Sequence, residues 1–401
     1  MKQFSTKYLY LYKFISECLP IYAFYNILFV ERGLSIGQVT ILIALWSVFA
    51  VLSEIPTGIL ADRWNRRNML VIACILQGMC FMLWFYSHTF VMFMIGFALW
   101  GLASSFVSGT EEGLIYDNLK REGREEEFTT IYGRAQFWAN VGVITAVITA
   151  GFLVTFLYLG YIALISAGLC VVAAILATRI RECNLYREQS MDEEPGVLDT
   201  LRGAGTFIKG NPIALLVIVF LVFFASIMGY LDEYDAFITK DFGLGHVWVS
   251  VIFTVRFASI AIGDLLVPIV QKKINNLRGI IFFTLGGNVL LLVFSVLWNQ
   301  YVLLIFGLSV LILTVASILL INMLQEEIKE EGRATVMSFV GIGQNVFMIV
   351  LSLIYGFLAG FISLHIVYIV IAMYGILGCI VFVILRRVLS KKFTKKVRGS
   401  C

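Results

Sequence analysis

The sequence predicts an all-α membrane protein in which twelve transmembrane helices form two six-helix halves. Three observations carry this prediction. Hydrophobic residues make up 60% of the 401 residues and charged residues only 14%, whereas a soluble domain is roughly 45–50% apolar. The apolar residues fall into runs of about 20, the length that a helix needs to cross a bilayer. One long polar stretch lies almost midway along the chain.

Twelve apolar runs are long enough to cross a membrane. Because no water reaches the hydrocarbon core, backbone polar groups there must be bonded within the chain, so each run is expected to be a helix. The runs cover residues 8–30, 36–60, 69–87, 90–116, 130–154, 157–178, 212–238, 246–270, 279–298, 301–322, 335–360 and 364–386.

The polar stretch 179–211 divides the chain into two parts of similar length. It is expected to be a cytoplasmic linker between an N-terminal half, 1–178, and a C-terminal half, 212–386, which a basic tail, 387–401, follows. An amphipathic helix on the membrane surface is predicted inside the linker, at 197–208. The linker is too short for a soluble domain of its own.

A weak internal repeat supports two related halves. Shifting the chain by about 205 residues aligns similar segments, as repeated transporter halves do. The shift sets Thr130 against Thr335 and Asn140 against Asn345. Each match falls in a corresponding span of its half.

Lysine and arginine concentrate in the turns after even-numbered runs and at both termini. Cytoplasmic loops of membrane proteins carry an excess of these residues, so both termini are expected in the cytoplasm. The net charge of +4 therefore reports topology. It does not indicate a nucleic-acid partner, because the basic residues lie in short turns and not on one solvated face.

The seven cysteines are mostly single residues inside apolar runs, without the spacing of metal ligands, so free thiols are expected. No metal motif, catalytic nucleophile or nucleotide-binding loop is recognisable. The sequence therefore indicates neither an enzyme nor an ATP-driven pump, and no cofactor is expected. The first apolar run is long and has no small-residue cleavage site after it, so we interpret it as the first span.

The segment 54–67 leaves an apolar run and ends in a charged, basic turn. The spacing of Gly58, Asp62 and Arg66 resembles the loop between the second and third helices of major facilitator superfamily transporters, Gly-x-Leu-Ala-Asp-Arg-x-Gly-Arg-Arg. Asn65 stands where that family usually has glycine. The twelve spans and the midway linker also resemble this family, whose fold we therefore expect.

The resemblance implies a conformational latch on the cytoplasmic side, which includes Gly58. In this family the aspartate, here Asp62, contacts the start of span eleven, here near Thr335. The arginine, here Arg66, reaches an acid at the end of span four, for which Asp117 is the candidate. These bonds are expected only when the halves are closed on the cytoplasmic side. The alternative is a turn that sets topology by its positive charge alone.

Span five distinguishes branches of the family. Many drug–proton antiporters carry a Gly-Pro pair there, whereas residues 133–142 read Gly-Arg-Ala-Gln-Phe-Trp-Ala-Asn-Val-Gly. Other exporters with similar Glu-x-Pro-Thr-Gly and Glu-Glu-x-x-x-Tyr-Asp segments also lack the pair. The chain is thus still similar to bacterial drug/proton antiporter-type exporters.

Charged side chains inside spans cost about 2.5–3.5 kcal/mol each at a helix centre, so each needs a partner or a function. Glu111 and Glu112 adjoin, so their carboxylates repel and one is expected to hold a proton. Glu17 and Glu54 have no basic neighbour beyond Lys13, and we expect proton carriers or cation ligands. The alternative is a neutral, hydrogen-bonded acid, or one that reaches interfacial water. The proton-coupling candidates are Glu17, Glu54, Glu111, Glu112, Asp232 and Glu233.

Counting residues from the turns predicts two acid–arginine pairs. Glu112 and Arg134 lie equally far from the turn between spans four and five, and Asp232 and Arg256 lie equally far from the turn between spans seven and eight. Residues at equal distances from a turn lie at similar depth. The pairs either line a central cavity and change partner during transport, or they only neutralise each other and tie helices together.

Polar and aromatic side chains alternate in the spans that carry intramembrane charges. Such a combination suits a pocket for an amphipathic, partly aromatic molecule, although most aromatic residues in membrane proteins serve packing. The substrate-cavity candidates are Arg134, Gln136, Trp138, Asn140, Tyr230, Arg256, Phe257, Gln344 and Asn345.

The resemblance implies a secondary active transporter. Our first hypothesis is export of small amphipathic compounds, drugs or metabolites, by alternating access coupled to proton influx. We expect a monomer in the plasma membrane of a bacterium, with the small molecule, protons and the lipid bilayer as partners. The alternative is a proton-coupled importer, or a transporter of lipids or anionic metabolites, with the same fold. A free Arg256 would favour an anionic substrate, and pairing with Asp232 would favour export. A membrane enzyme or receptor is the alternative from another class.

Overall fold

The computed structural model of the protein describes residues 4–183, 215, 217–223, 232–274, 276–327, 333–358 and 361–398, and every regular element in these ranges is a helix. Ten helical segments of the described chain are long and apolar enough to cross a membrane. The predicted all-α membrane fold is therefore confirmed. The predicted amphipathic helix at 197–208 lies outside the described residues.

The N-terminal half begins with two short helices in place of one continuous first span. Its helices are α1 (Thr6–Glu17), α2 (Tyr25–Glu31), α3 (Ile36–Arg63), α4 (Arg66–Tyr86), α5 (Phe90–Val107), α6 (Thr110–Arg121), α7 (Phe128–Leu153) and α8 (Leu159–Arg179). A 3₁₀ turn, Pro20–Ala23, joins α1 to α2. Proline cannot donate a backbone hydrogen bond and disfavours helix in the residue before it, which explains the break.

The fourth predicted span is also broken. α5 ends at Val107 and α6 begins at Thr110, with Gly109 between them at φ 69°. Only glycine adopts this left-handed conformation readily. The break leaves backbone groups at two helix ends without helical partners, inside a segment that would otherwise bond all of them internally.

The C-terminal half repeats the pattern as far as it is described. Residues 217–223 are helical, and a 3₁₀ turn, Asp232–Tyr234, precedes the next helix. The helices that follow are α9 (Asp235–Asp241), α10 (Val247–Gln271), α11 (Leu277–Leu297), α12 (Leu303–Glu327), α13 (Arg333–Leu358) and α14 (Leu364–Arg398). α14 thus continues through the predicted tail, because lysine, arginine and leucine favour helices and positive charge stabilises a helix C-terminus.

α2 and α9 are seven residues long and occupy corresponding places in the two halves. Each is followed by a glycine with positive φ, 91° at Gly33 and 65° at Gly243, and 243 − 33 gives an offset of 210. After each glycine, the amide of Leu34 or Leu244 donates back into the preceding helix, to the carbonyls of Phe29 and Thr239. This shared turn agrees with a repeat of the two halves.

The packing differs between the two ends of the bundle. We call the end where α1 begins and α14 ends the terminal side, and the opposite end the far side. On the far side one apolar cluster contains residues of both halves, among them Phe29 and Phe97 from the first and Tyr234 and Phe294 from the second. On the terminal side, the described apolar residues form two clusters, one in each half. The structure is therefore closed on its far side.

Candidate functional site

A polar cavity of about 220 Å³ lies inside the N-terminal half, where the two helix breaks meet. Broken helices expose backbone groups and their dipole ends within a bundle, which is where transporters hold ions and polar groups. The residues that line the cavity are Tyr12, Lys13, Ser16, Glu17, Tyr22, Ala73, Cys74, Gln77, Trp100, Ala103, Ser104, Val107 and Glu111.

A buried ion pair crosses this cavity from α1 to α6. The Nζ atom of Lys13 lies 3.0 Å from Oε2 of Glu111, and the two residues are 7% and 4% exposed. Glu111 occupies the first turn of α6, where the helix dipole favours negative charge. The other oxygen of Glu111, Oε1, is buried and has no hydrogen-bond partner in the described part of the chain. This oxygen is available to a ligand.

Glu17 lines the same cavity but lies at a helix C-terminus, whereas Glu111 lies near a helix N-terminus. Glu17 is the last residue of α1, and a helix C-terminus disfavours negative charge. Its carboxyl group forms no hydrogen bond or ion pair with the residues that the structure describes. The cavity thus contains two carboxyl groups, Glu17 and Glu111, but one cationic side chain, Lys13.

One wall of the cavity is aromatic. Tyr22 stacks on Trp100 with ring centroids 5.5 Å apart, and its hydroxyl accepts a hydrogen bond of 2.5 Å from Nε2 of Gln77. Ser16 and Ser104 add hydroxyl groups to the lining. The cavity therefore combines a flat aromatic face, neutral polar groups and an excess of acid.

The predicted pairing of Glu112 with Arg134 is wrong. Glu112 is exposed and Oε1 accepts a 2.7 Å hydrogen bond from the hydroxyl of Tyr132 on α7. Among the described residues, no ion pair joins Glu112 to Arg134, whose side chain is exposed. Equal distance from a turn places two residues at similar depth but leaves the directions of their side chains open.

Arg256 pairs with Asp235, whereas the equal distances from the turn had predicted Asp232 as its partner. The distance from Nη2 to Oδ1 is 3.0 Å, Nε bonds the other carboxylate oxygen, and the pair is almost completely buried. Asp235 also accepts a 2.5 Å hydrogen bond from the hydroxyl of Tyr368. Helical side chains point toward the N-terminus of their helix, so the long Arg256 side chain reaches an acid closer to the turn than Asp232. The side chain of Asp232 is not described.

Glu233, a predicted proton-coupling residue, lies where the two halves join on the far side. It accepts a short hydrogen bond from the hydroxyl of Tyr25, and its backbone carbonyl accepts one from Asn26. Next to it, the hydroxyl of Tyr234 donates to Thr40 over 2.9 Å. These bonds connect α2 and α3 of the first half to the segment before α9 in the second.

A histidine–carboxylate contact lies at the same joint. Nε2 of His246 is 3.5 Å from Oε1 of Glu31, and both side chains are partly exposed. The contact is an ion pair only when the imidazole is protonated.

The predicted contact between Arg66 and Asp117 is present. Nη1 of Arg66 lies 2.7 Å from Oδ2 of Asp117, and both side chains are largely buried. A Cβ atom on Gly113 would lie 2.6 Å from Arg66 Nη1, so the glycine leaves room for the guanidinium in this position. Both partners belong to the N-terminal half, on α4 and α6. The contact therefore does not depend on closure between the halves, which corrects that part of the latch hypothesis.

Asn65, the departure from the family pattern, caps the helix that follows. Its Oδ1 atom accepts a 2.9 Å hydrogen bond from the amide of Asn68. The carboxylate of Glu182 accepts from the amides of Arg66 and Arg67, at 3.0 and 2.7 Å. Three of the unpaired amides at the start of α4 are thus satisfied by side chains. The turn is held in place from the end of α8.

Glu54 lies on the face of α3 that is directed toward the other half. Fourteen residues after Thr40, it is rotated only about 40° from it around the helix, and Thr40 contacts the C-terminal half. The Glu54 side chain is exposed, and a Cβ on Gly58 would meet no atom within 4 Å. The side chains of Asp62 and Thr335 are not described, so their predicted contact stays a prediction.

The other cavity candidates are spread over both halves and do not line the polar cavity. Phe257 is partly buried near Phe253, with ring centroids 6.1 Å apart. Trp138 lines a separate, apolar groove. Tyr230 lies outside the described residues. The remaining side chains are half-buried or exposed on α7 and α13, namely Gln136, Asn140, Gln344 and Asn345.

Sequence reasoning missed the partner of Lys13 and the aromatic wall. Lys13 and Glu111 are 98 residues apart, so no local pattern connects them. Two signals were available: Pro20 inside the first span and Gly109 inside the fourth, since proline and glycine inside a hydrophobic span mark helix breaks. Gln77 was a third, because an amide inside an apolar run needs a polar partner.

The comparisons with known proteins agree with this architecture. Residues 14–346 match the family model described as Major Facilitator Superfamily. The crystal structure of a mutant of the nucleoside transporter NupG has a TM-score of 0.79 at 15% identity, covering 94% of this chain and 98% of that chain. A D-xylose-proton symporter has a TM-score of 0.74 at 12% identity, covering 94% and 96%. None of the curated protein sequences searched matches the chain.

A third solved structure is a bacterial homolog of the human lysosomal transporter Spinster, in an inward-facing and unoccupied conformation. It has a TM-score of 0.69 at 14% identity and covers 94% of this chain and 98% of that chain. At these identities the likeness concerns the fold alone.

Proposed function

The chain belongs to the Major Facilitator Superfamily, a family of membrane transporters, and we propose that it exports small amphipathic compounds in exchange for protons. The observation that carries the proposal is the polar cavity, where two carboxyl groups face one lysine. Two ionised acids beside a single cation leave a buried negative charge, which is unfavourable without a counterion. A bound proton or a cationic ligand restores neutrality.

Within the cavity we assign the transferable proton to Glu17. Glu111 is supported electrostatically by the ion pair with Lys13 and by the N-terminus of α6. Glu17 has neither support and lies at a helix C-terminus. Release of its proton leaves a carboxylate that a cationic or hydrogen-bonding substrate can bind, as exchange requires. Glu111 Oε1, without a partner in the described chain, supplies a second contact for the substrate.

The substrate class follows from the lining. Stacked Tyr22 and Trp100 offer a flat face, and such faces attract cations and aromatic rings. The acid excess disfavours anions. Arg256, the residue that would favour an anionic substrate, is bonded to Asp235. We therefore propose neutral or cationic amphipathic molecules, with Gln136, Asn140, Gln344 and Asn345 lining the path between the halves.

The loading side follows from the packing. The halves share one apolar cluster on the far side and form separate described clusters on the terminal side. The basic turns predict that the terminal side is cytoplasmic. In this conformer an exporter loads its substrate, and the cycle continues when the far-side bonds around Glu233 break. Glu54 and Glu112, both exposed on the terminal side, are proposed to pass protons to the cytoplasm.

Transport in proteoliposomes tests the proposal. Ethidium serves as an aromatic cationic probe. Its transport from the compartment on the terminal side to the compartment on the far side should become faster when a proton gradient drives protons from the far side to the terminal side. Glu17→Gln removes the carboxylate, so it should weaken ethidium binding and lose the dependence on the gradient. Lys120→Gln, on the terminal side at the end of α6, is the control and should behave like the wild type. Gradient-independent flux in the wild type would contradict proton coupling.

The second candidate is proton-coupled import of a small polar solute. It is favoured by the cavity's small volume of about 220 Å³ and by the fold shared with a D-xylose-proton symporter and a nucleoside transporter. The same vesicles separate the two candidates. Uptake of radiolabelled xylose or uridine that rises with a proton gradient in the same direction would establish import and overturn export.

A further inference from the structure

An apolar groove of about 520 Å³ lies on the opposite side of α1 from the polar cavity. Leu11 lines the groove and Lys13 lines the cavity; they are two residues apart, so they point about 200° apart around the helix. Phe14 and Trp138 lie in an edge-to-face contact with ring centroids 6.3 Å apart, and Phe14 lines the end of the groove farther from Lys7. The groove is lined by Thr6, Lys7, Tyr10, Leu11, Phe14 and Trp138.

The groove also lies away from the joint between the halves. On α7, a Cβ at Gly142 would collide with the carbonyl of Phe14 on α1, and a Cβ at Gly151 would meet Ser250 of α10. These glycines are nine residues apart and so face opposite sides of α7. Trp138 is rotated only about 40° from Gly142. The groove therefore lies on the side of α7 opposite its contact with α10, and we infer that this surface faces the hydrocarbon core of a membrane.

Two basic side chains lie at the terminal end of this groove. Lys7 lines it, two residues into α1, and Arg134 precedes Trp138 by one turn on α7 and so lies on the same face. Both side chains are exposed. Neither has a hydrogen-bond or ion-pair partner within the described ranges. An arginine inside a span needs a counterion, and here none is supplied by the described chain.

We propose that this groove binds an anionic phospholipid. One acyl chain lies along Leu11, Phe14 and Trp138, and the phosphate lies between Lys7 and Arg134. Lys7 is about 10 Å nearer the terminal side than Phe14 along the helix, so the headgroup reaches the membrane surface while the chain fills the groove. The planar guanidinium of arginine binds two phosphate oxygens at once.

The choice of an anionic lipid rests on charge complementarity. Two uncompensated positive charges at the entrance favour a net negative headgroup, and each basic residue near an anionic surface contributes a separate electrostatic attraction. The basic turns predict that this side faces the cytoplasm, where anionic lipids concentrate. The site is separate from the transported substrate's cavity, so it does not depend on the direction or substrate of transport.

Quenching of tryptophan fluorescence by brominated lipids tests the proposal. The full-length protein is reconstituted in phosphatidylcholine that contains a minor fraction of either dibrominated phosphatidylglycerol or dibrominated phosphatidylcholine. The signal of Trp138 is the difference between the wild type and Trp138→Phe. Phosphatidylglycerol should quench it at a lower fraction than phosphatidylcholine. Neutralising Lys7 or Arg134 should reduce this preference by roughly fivefold each.

Charge-matched variants complete the experiment. Lys7→Gln and Arg134→Gln should each weaken the preference and together should abolish it, whereas Lys120→Gln, which removes a positive charge on the same side away from the groove, should keep it. Melting temperatures equal to the wild type establish that the variants are folded. Equal quenching by the two lipids would overturn the proposal, and so would a preference that survives in Lys7→Gln/Arg134→Gln. Displacement by ethidium but not by unlabelled phosphatidylglycerol would also overturn it, in favour of a substrate site.

Discussion

The two halves share a fold but treat their buried charges differently. In the C-terminal half, Arg256 is fully matched: Asp235 binds it through two nitrogen atoms and also accepts from Tyr368. In the N-terminal half, Lys13 neutralises one oxygen of Glu111, while Glu17 beside it has no partner among the described residues. The first network is closed, and the second leaves acid unpaired in a cavity.

This difference supports the proposal that the N-terminal half binds the proton and the substrate. A charge network with every group satisfied holds helices in one arrangement, because any change of partner leaves a buried charge exposed to an apolar surrounding. The N-terminal network contains Glu17, an acid unpaired within the described chain, beside a cavity. It can therefore accept a proton or a ligand without breaking the Lys13–Glu111 ion pair. The helix breaks follow the same division, since α5 and α6 are separate whereas α12, in the corresponding place, is continuous.

The largest expected effect comes from separating the Lys13–Glu111 pair. Glu111→Leu leaves the lysine uncompensated and should lower the free energy of unfolding by about 3–5 kcal/mol. Lys13→Met together with Glu111→Leu should recover most of that loss, because replacing both partners by apolar groups is often neutral. The double variant should still be inactive in proteoliposomes. Recovery of proton-dependent transport would remove this pair from the proposed site.

Removing the Asp235–Arg256 network should leave transport intact, unlike removal of the Lys13–Glu111 pair. Asp235→Leu alone should again cost about 3–5 kcal/mol of unfolding free energy, measured by chemical unfolding in detergent. The triple variant Asp235→Leu, Arg256→Met, Tyr368→Phe removes the polar groups of all three residues and should regain stability. Unlike the N-terminal double variant, it should transport. An inactive but stable triple variant would show that the halves share the chemistry.

Gly113→Ala tests the packing around Arg66 and should have a smaller effect. The new methyl group would lie 2.6 Å from Nη1 of Arg66, and displacing this side chain from Asp117 should cost about 1–3 kcal/mol of unfolding free energy. Gly133→Ala on α7 is the matched control, because a Cβ there meets no atom within 4 Å. It should be neutral or slightly stabilising. Equal losses in both would contradict the packing argument.

The smallest effect is expected at Asn65. Asn65→Ala removes the cap of α4 and should cost about 0.5–2 kcal/mol of unfolding free energy, whereas Asn65→Gly, the residue usual in the family, should cost only a few tenths. Thermal unfolding of the two variants side by side measures the difference. An alanine variant as stable as the glycine variant would mean that Glu182 alone satisfies the start of this helix.

Most of the fold follows from composition and spacing, because apolar runs of about 20 residues have helices as their only stable form in lipid. The contact of Arg66 with Asp117 was also predictable, since the turn resembled a known motif. Contacts between the side chains of neighbouring spans were harder to predict. Equal distances from a turn predicted that Glu112 pairs with Arg134 and that Arg256 pairs with Asp232. Because side-chain direction also matters, Glu112 instead bonds Tyr132, and Arg256 bonds Asp235.

Only part of the candidate site could be predicted from the sequence. Glu17 and Glu111 were recognisable as costly intramembrane acids, but their common cavity was not. Lys13 meets Glu111 because α1 and α6 both end or begin at a break, and the positions of such breaks depend on how several helices pack. The unpaired position of Arg134 was equally hidden, because a partner within the chain is the simpler expectation for any arginine inside a span.

The apolar cluster shared by both halves on the far side gives the proposed cycle a thermal signature. Each opening of that side would separate the two halves within this cluster, which includes Phe29 and Tyr234, and would expose part of its apolar surface to a water-filled vestibule. Exposure of apolar surface raises the heat capacity. The equilibrium between the two conformers should therefore curve with temperature, and transport rates plotted against inverse temperature should bend wherever this opening limits turnover.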